Sequence, residues 1–293
     1  MTAKPFTVIA GFLGAGKTTL VNHILSQSSG TRYAVLVNDF GAVNVDVGLI
    51  ASHDGQTLEL TNGCICCSLA DGFIQTMLRL MEAPERFDHV IVEASGVSEP
   101  DRIMDFARLD PELAPDAILT LADAETVVER LSDRHVGQVV SSQIASADLL
   151  LLNKTDLASE LSGTEATLRE RNAAAPILHC RGADLALELL LGSHRASPET
   201  SPHRHTHPPP FHTLHMTAEH PIARPAFEAW AEALPTSILR GKGIIRLGDE
   251  GLAHVWQRVG TRSTLLASPD NAAAATELVL IGTEAISTPP LPS

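Results

Sequence analysis

Between residues 11 and 18 the chain reads Gly11-Phe-Leu-Gly14-Ala15-Gly16-Lys17-Thr18, the pattern G-x-x-x-x-G-K-[ST]. Glycines let successive backbone N–H groups turn into one concavity, where they hold phosphate oxygens. The helix that follows adds its positive N-terminal end. The motif needs a strand before it and a helix after it. Phe6 to Ala10 is a buried apolar run, and Lys17 to Ser28 has a helical pattern that stops at Gly30. In that setting the string is a phosphate loop, with Gly11, Gly14, Ala15, Gly16, Lys17, Thr18 and Thr19 as nucleotide contacts. Lys17 is placed to reach the β- and γ-phosphates, and Thr18 to ligate Mg2+.

The rest of the first 180 residues alternates in the same way. Tyr33 to Val37, Ala117 to Ala122, His89 to Val92 and Leu149 to Leu152 are short apolar runs, and helical patterns such as Leu69 to Met81 lie between them. Such alternation predicts an α/β fold, a mainly parallel sheet with helices on both faces. Ligands in that architecture sit at the C-terminal strand ends. Composition changes after Cys180. His194 to Pro210 is rich in Pro, Ser, Thr and His, without apolar periodicity, as expected of a linker. Phe211 to Met216, Ile238 to Leu247 and Thr276 to Ile281 then read as strands, and Phe227, Trp230 and Leu234 as one face of a helix. The expected organisation is a P-loop domain at 1–190, a His/Pro-rich linker at 191–210, a small α+β domain at 211–283 and a frayed tail at 284–293.

Three strand ends carry polar clusters. Asn153-Lys154-Thr-Asp156 follows Leu149 to Leu152. Its Asp carboxylate can accept two hydrogen bonds from guanine N1–H and the N2 amino group, a pairing adenine does not offer. Asn153 and Lys154 would hold and cover the ring. Glu93-Ala-Ser-Gly96 follows His89 to Val92. There an acid can hold Mg2+ through water and the Gly96 amide can sense the γ-phosphate; an acidic strand end followed by a turn is the plainer alternative. Asn38-Asp39-Phe-Gly41 through Asp46 is either a switch loop or an ordinary polar turn.

Three of the four cysteines, Cys64, Cys66 and Cys67, fall within four residues. Clustered thiols suit soft or borderline ions such as Zn2+, Cu+ or Co2+. Three close cysteines rarely complete a tetrahedral site, which leaves a position for a further ligand. The alternative is a set of small buried hydrophobes. Seven of the thirteen histidines lie between His194 and His220, and His203, His205 and His207 are the densest group. They are either weak Zn2+, Ni2+ or Co2+ collectors or a solvated linker.

The formal net charge of −14 argues against a nucleic-acid binder, which needs a basic face. No apolar run reaches the roughly 18 residues of a membrane span, and Met1 to Phe6 lacks a signal-peptide pattern. The cytoplasm, without membrane attachment, is the expected compartment.

Together, GFLGAGKTTL, NGCICC, E-x-S-G, SSQIASADLLLLNKTDL and Ile238-Leu-Arg-Gly-Lys-Gly243 resemble the CobW-type GTPases, a metallochaperone group allied to nickel-insertion GTPases. The resemblance covers nearly the whole chain. It implies that GTP and Mg2+ order the CxCC loop and create a Zn2+ (or Co2+) site, and that hydrolysis releases the ion to a client metalloprotein or metal-insertion complex. Lys17, Thr18, Glu93 and Asp39 are its catalytic candidates, with slow intrinsic turnover expected because no arginine finger is evident. One departure stands out. Relatives carry Glu just before the Asn of the switch segment and just after its Gly, where this chain has Val37 and Ala42. Asp39 stands where the family often has Glu. A regulatory GTPase switch with structural cysteines, a passive Zn-buffering protein, and assembly into a homo-oligomer all stay open from the sequence.

Overall fold

The computed structural model describes residues 3–27, 31–37, 57–59, 87–191, 212–248, 252–268, 275–282 and 285–292, with single positions between 73 and 82. Asp39, Ala42, Cys64, Cys66, Cys67, His203, His205 and His207 lie outside the described residues, as does most of the expected helix from Leu69 to Met81. The chain divides into two compact units, Ala3–Asp184 and Leu185–Ser293.

In the first unit, strands β1 (Lys4–Gly11), β2 (Tyr33–Val37), β3 (Thr57–Glu59), β4 (His89–Glu93), β5 (Leu113–Asp123), β6 (Leu149–Asn153) and β7 (Ile177–His179) form one sheet in the order β3-β2-β4-β1-β5-β6-β7. Every pairing in it is parallel. Parallel strands covered on both faces read as unbroken apolar runs, and all five residues of β4 and of β6 are buried. Helix α1 (Lys17–Gln27) lies against β1 and β4, and α2 (Pro100–Leu109) against β1 and β5. Ile103, Met104 and Ala107 of α2 join Phe6, Val8, Val92 and Ile118 in one core. Helices α3 (Val127–Ser132), α4 (Gly137–Ala145) and α5 (Ser162–Arg171) bury Val127, Val140, Ile144 and Leu168 with Leu150 and Leu152 in another.

A polar trio interrupts this apolar floor. The Thr7 hydroxyl donates to Asp116 Oδ2 at 2.8 Å and lies 2.7 Å from His89 Nε2. The hydroxyl has one hydrogen, spent on the carboxylate, so the imidazole nitrogen donates to it. Asp116 is the extra residue where the β1–β5 register shifts beside Thr7, a bulge that turns its side chain toward the hydroxyl.

The second unit is a five-stranded antiparallel sheet. Its strands β8 (His212–Ala218), β9 (Ile238–Leu247), β10 (Leu252–Val259), β11 (Arg262–Ala267) and β12 (Thr276–Gly282) run in the order β11-β10-β9-β12-β8. Phe227 and Trp230 of helix α7 (Arg224–Glu232) pack on Trp256, Leu278 and Leu280. Two buried arginines satisfy helix C-termini, whose last carbonyls lack partners within the helix. Arg258 donates to Ala231 O in the last turn of α7 and to Leu234 O just beyond it, and Arg240 to Leu189 O and Leu190 O of α6 (Leu187–Leu191). Burial lowers the Arg258 pKa.

The expectation of a frayed tail is corrected. Ile286 and Leu291 pack against the second core, and the Trp230 indole donates to Pro289 O at 3.0 Å. An apolar contact and a buried donor hold a segment that composition alone marks as loose. No helix among the described residues is long and apolar enough to cross a membrane.

Candidate functional site

Because β1, β4, β5 and β6 run parallel, their C-terminal ends fall along one edge. Ile9 pairs with Glu93, Gly11 with Leu121, and Asp123 with Asn153. The phosphate loop leaves β1, the Glu93 turn leaves β4 and the NKTD turn leaves β6. Adjacent strand ends thus bring together residues far apart in sequence.

Within the phosphate loop, Gly11 closes β1, Gly14 is exposed, Ala15 is buried and its amide donates to Phe12 O at 3.1 Å. Gly16 has φ +106, and a Cβ there would stand 2.5 Å from Asn153 Nδ2. Both the backbone conformation and the close approach therefore require glycine. Lys17 begins α1, is 8% exposed, and its Nζ donates to Phe12 O at 3.3 Å. The ammonium is folded back onto the loop that precedes it. Thr19, one residue further on, is exposed.

The Thr18 hydroxyl donates to Glu93 Oε1 at 3.0 Å, and Glu93 is 4% exposed. A hydroxyl and a carboxylate at hydrogen-bond distance, beside a helix N-terminus, form a hard-oxygen pair suited to Mg2+. The following turn is anchored by Ala94 N donating to Ile9 O and closed by Ser98 N donating to Ser95 O. Gly96 packs directly on the phosphate loop, because a Cβ there would meet Leu13 Cδ2 at 2.5 Å and Leu13 N at 2.9 Å.

Asn153 is 2% exposed, and its polar atoms all face the protein. Nδ2 donates to Ala15 O at 2.9 Å, and Oδ1 accepts from Ala183 N at 3.0 Å and from Cys180 Sγ at 3.5 Å. Its place is thus to tie the NKTD turn to the phosphate loop and to the loop after β7. Lys154 takes φ +60, and its Nζ meets Asp123 Oδ2 at 2.6 Å. Asp123 Oδ1 also accepts from Glu125 N at 3.0 Å. Thr155 donates to Cys180 O, and the turn closes by Leu157 N donating to Lys154 O. Asp156 stands exposed within that turn, where its carboxylate is available to a base edge.

Burial pushes the Cys180 thiol up to about 12, with the nearby Asp184 carboxylate adding to the rise. A buried, neutral thiol behind the NKTD turn is a poor nucleophile at neutral pH. Among the described residues no three His, Cys, Asp or Glu side chains are grouped to hold a metal. A cleft of about 340 Å3, open to solvent, lies beside the outer limb of the phosphate loop, against Phe12, Leu13, Asp123, Arg130 and Gln143. Its lining includes Ala15 of the loop but not Lys17, Thr18 or Glu93.

Three members of this edge escape a reading of motifs. Asp123, Gln143 and Ala183 act through partners 30 to 47 positions away, as in Lys154–Asp123 and Gln143–Gly96. The sequence signal for Asp123 is its place as the last residue of an apolar strand. Ala183 has no such signal.

Residues 5–179 match the CobW/HypB/UreG nucleotide-binding domain. The chain belongs to this family. Residues 211–288 match the C-terminal domain of the cobalamin synthesis protein cobW. The chain is 34% identical over 219 residues to the zinc chaperone CobW of Sinorhizobium sp, covering 64% of this chain and 62% of that one. It is 36% identical over 195 residues to the zinc chaperone YjiA of Escherichia coli (strain K12), covering 64% and 60%. The chain therefore spans about 60% of the length of the curated relatives it matches. A crystal structure of the Zn(II)-bound YjiA GTPase from E. coli shares the fold, with a TM-score of 0.51 at 24% identity, over 97% of this chain and 96% of that one.

Proposed function

We propose that this member of the CobW/HypB/UreG family is a slow GTPase that acts in the cytoplasm as a metallochaperone. It takes up Zn2+ or Co2+ and hands it to a client metalloprotein when GTP is hydrolysed. The observation that carries the nucleotide half is the hydrogen bond from Asn153 to the Ala15 carbonyl. It joins the guanine-reading NKTD turn to the phosphate loop as one binding surface. The relatives' designation as zinc chaperones supports the metal half.

In this reading the loop from Gly11 to Gly16 cradles the phosphates, and Lys17 offsets negative charge on the β- and γ-phosphates. Asp156 reads guanine N1–H and the N2 amino group, and Lys154, held by Asp123, covers the ring. Thr18 and Glu93 would hold Mg2+, which would supply positive charge against the negative charge that develops on the phosphates. Water attacks the γ-phosphorus in line, the bond to the GDP oxygen breaks, and inorganic phosphate leaves. The Gly96 turn, against Leu13, registers loss of that phosphate. Cys64, Cys66 and Cys67 are the proposed cargo ligands, with His203, His205 and His207 as weak collectors and Asp39 as a catalytic candidate.

The test is Zn2+ and Co2+ affinity by chelator competition, with Mg2+ and either GDP or a non-hydrolysable GTP analogue, for the wild type and Cys66→Ala. Tightening with the analogue, lost in the variant, supports the reading. Equal affinity in both nucleotide states removes nucleotide-gated metal handling and leaves a switch or a buffer.

A further inference from the structure

The stretch Ser141-Ser-Gln143-Ile-Ala-Ser-Ala-Asp148 precedes the strand of the NKTD turn, and nothing in the nucleotide chemistry above uses its glutamine. Gln143 lies on α4 and is 1% exposed. Its Nε2 donates to Gly96 O at 3.1 Å and to Ser98 O at 3.0 Å. Both hydrogens of the carboxamide are thus spent on one turn, the turn that follows Glu93. The orientation of the amide is dictated by chemistry, because a flipped group would set its oxygen against two carbonyl oxygens. The helix itself is pinned at the same residue, where Thr120 Oγ1 donates to Gln143 O at 3.0 Å.

The Gly96 turn is therefore gripped from both sides. Leu13 of the phosphate loop packs on it, and Gln143 holds two of its carbonyls. A peptide unit is planar, so fixing a carbonyl fixes the direction of the amide N–H across the same bond. The Gly96 amide shares its peptide with Ser95 O, which accepts from Ser98 N at 3.0 Å. Gln143, by holding Gly96 O and Ser98 O, fixes the peptides that follow and with them the Ser98 amide that orients this one.

We propose that Gln143 is a positioning residue for recognition of the terminal phosphate: it fixes the Gly96 turn so that the Gly96 amide meets the γ-phosphate of GTP. The proposal rests on the nucleotide reading above. It adds a discriminating element that acts on GTP and not on GDP, since the diphosphate has no group at that place.

The experiment measures calorimetric affinities for GDP and for a non-hydrolysable GTP analogue, with Mg2+, in the wild type, Gln143→Met and Gln143→Glu. Methionine keeps the volume without a donor, and glutamate sets an acceptor against the two carbonyls. GDP affinity should stay within about twofold, while analogue affinity falls about tenfold or more, the worth of two neutral hydrogen bonds. Single-turnover hydrolysis should slow in step with the analogue loss. Equal weakening toward both nucleotides, or no weakening toward either, overturns the proposal. Should both variants fail to fold, Gln143→Asn keeps the amide but shortens its reach, and the same split between nucleotides decides. A wild type that binds neither nucleotide sinks the underlying reading as well, and that result appears before any variant is compared.

Discussion

Asn153 Nδ2 donates to the carbonyl of Ala15 across 2.9 Å, while Asn153 Oδ1 accepts the Ala183 amide. One buried side chain thereby joins the loops that leave β1, β6 and β7. Asn153→Ala should strand a buried carbonyl and a buried amide, at roughly 1–3 kcal/mol each before relaxation. Affinity for GDP and for a GTP analogue should fall together, by about tenfold or more, in contrast to the split expected at Gln143. Calorimetric titration with both nucleotides, alongside urea unfolding, checks this. Unchanged nucleotide affinity would show that the link between loops is incidental to binding.

Gly96 faces Leu13 with no room for a methyl group. Gly96→Ala should cost about 1–3 kcal/mol as an overpacked contact. Two of the three nearest atoms belong to the Leu13 side chain and the third is its backbone nitrogen. Adding Leu13→Ala should therefore recover part of the loss, and the backbone clash should keep the rest. A double-mutant cycle on unfolding free energy gives the coupling; strict additivity would contradict it.

Lys154 holds a left-handed backbone conformation, with its ammonium on Asp123. For a non-glycine residue that conformation costs about 1–2 kcal/mol, and the ion pair helps maintain it. Asp123→Asn should weaken GDP binding by about threefold to tenfold. In a Lys154→Ala background the same change should have little further effect. Equal losses in the two backgrounds would mean that Asp123 acts independently of the lysine.

The Cys180 thiol sets the alkaline limit at this site. Its folded-state value is pushed up to about 12 from 9.0, so the folded protein keeps a proton that the unfolded chain releases. The stabilisation is fully present below pH 9 and declines as pH rises through about 12. Relative to Cys180→Ala, the wild type should lose stability more steeply over that window in denaturant unfolding. Parallel curves would remove the thiol as the cause.

The sheet was legible because its central strands are buried on both faces. Runs such as His89 to Val92 and Leu149 to Leu152 have one reading, and the polar clusters after them mark the ligand edge. The hairpin of β10 and β11 was not legible. His254, Gln257 and Arg258 are buried in β10, which breaks the alternation expected of a half-exposed strand. The arginine is inside because its guanidinium closes the end of α7, a long-range reason that no local window contains. In the site, motifs named Lys17, Thr18, Glu93 and Asn153 as candidates but not their partners. They did not show that Asn153 turns all its polar atoms inward, because that depends on how close Ala15 and Ala183 come. Asp123 and Gln143 stayed hidden for the same reason.

Trp230 of α7 and Trp256 of β10 are the chain's two tryptophans, and their rings lie 5.9 Å apart. Indole emission is therefore a private signal of the second unit. The first unit, whose nucleotide edge contains no tryptophan, is silent when indole is selectively excited. Any shift in that emission on adding guanine nucleotide would record a change transmitted into the C-terminal unit, free of contribution from the loops proposed to hold the phosphates.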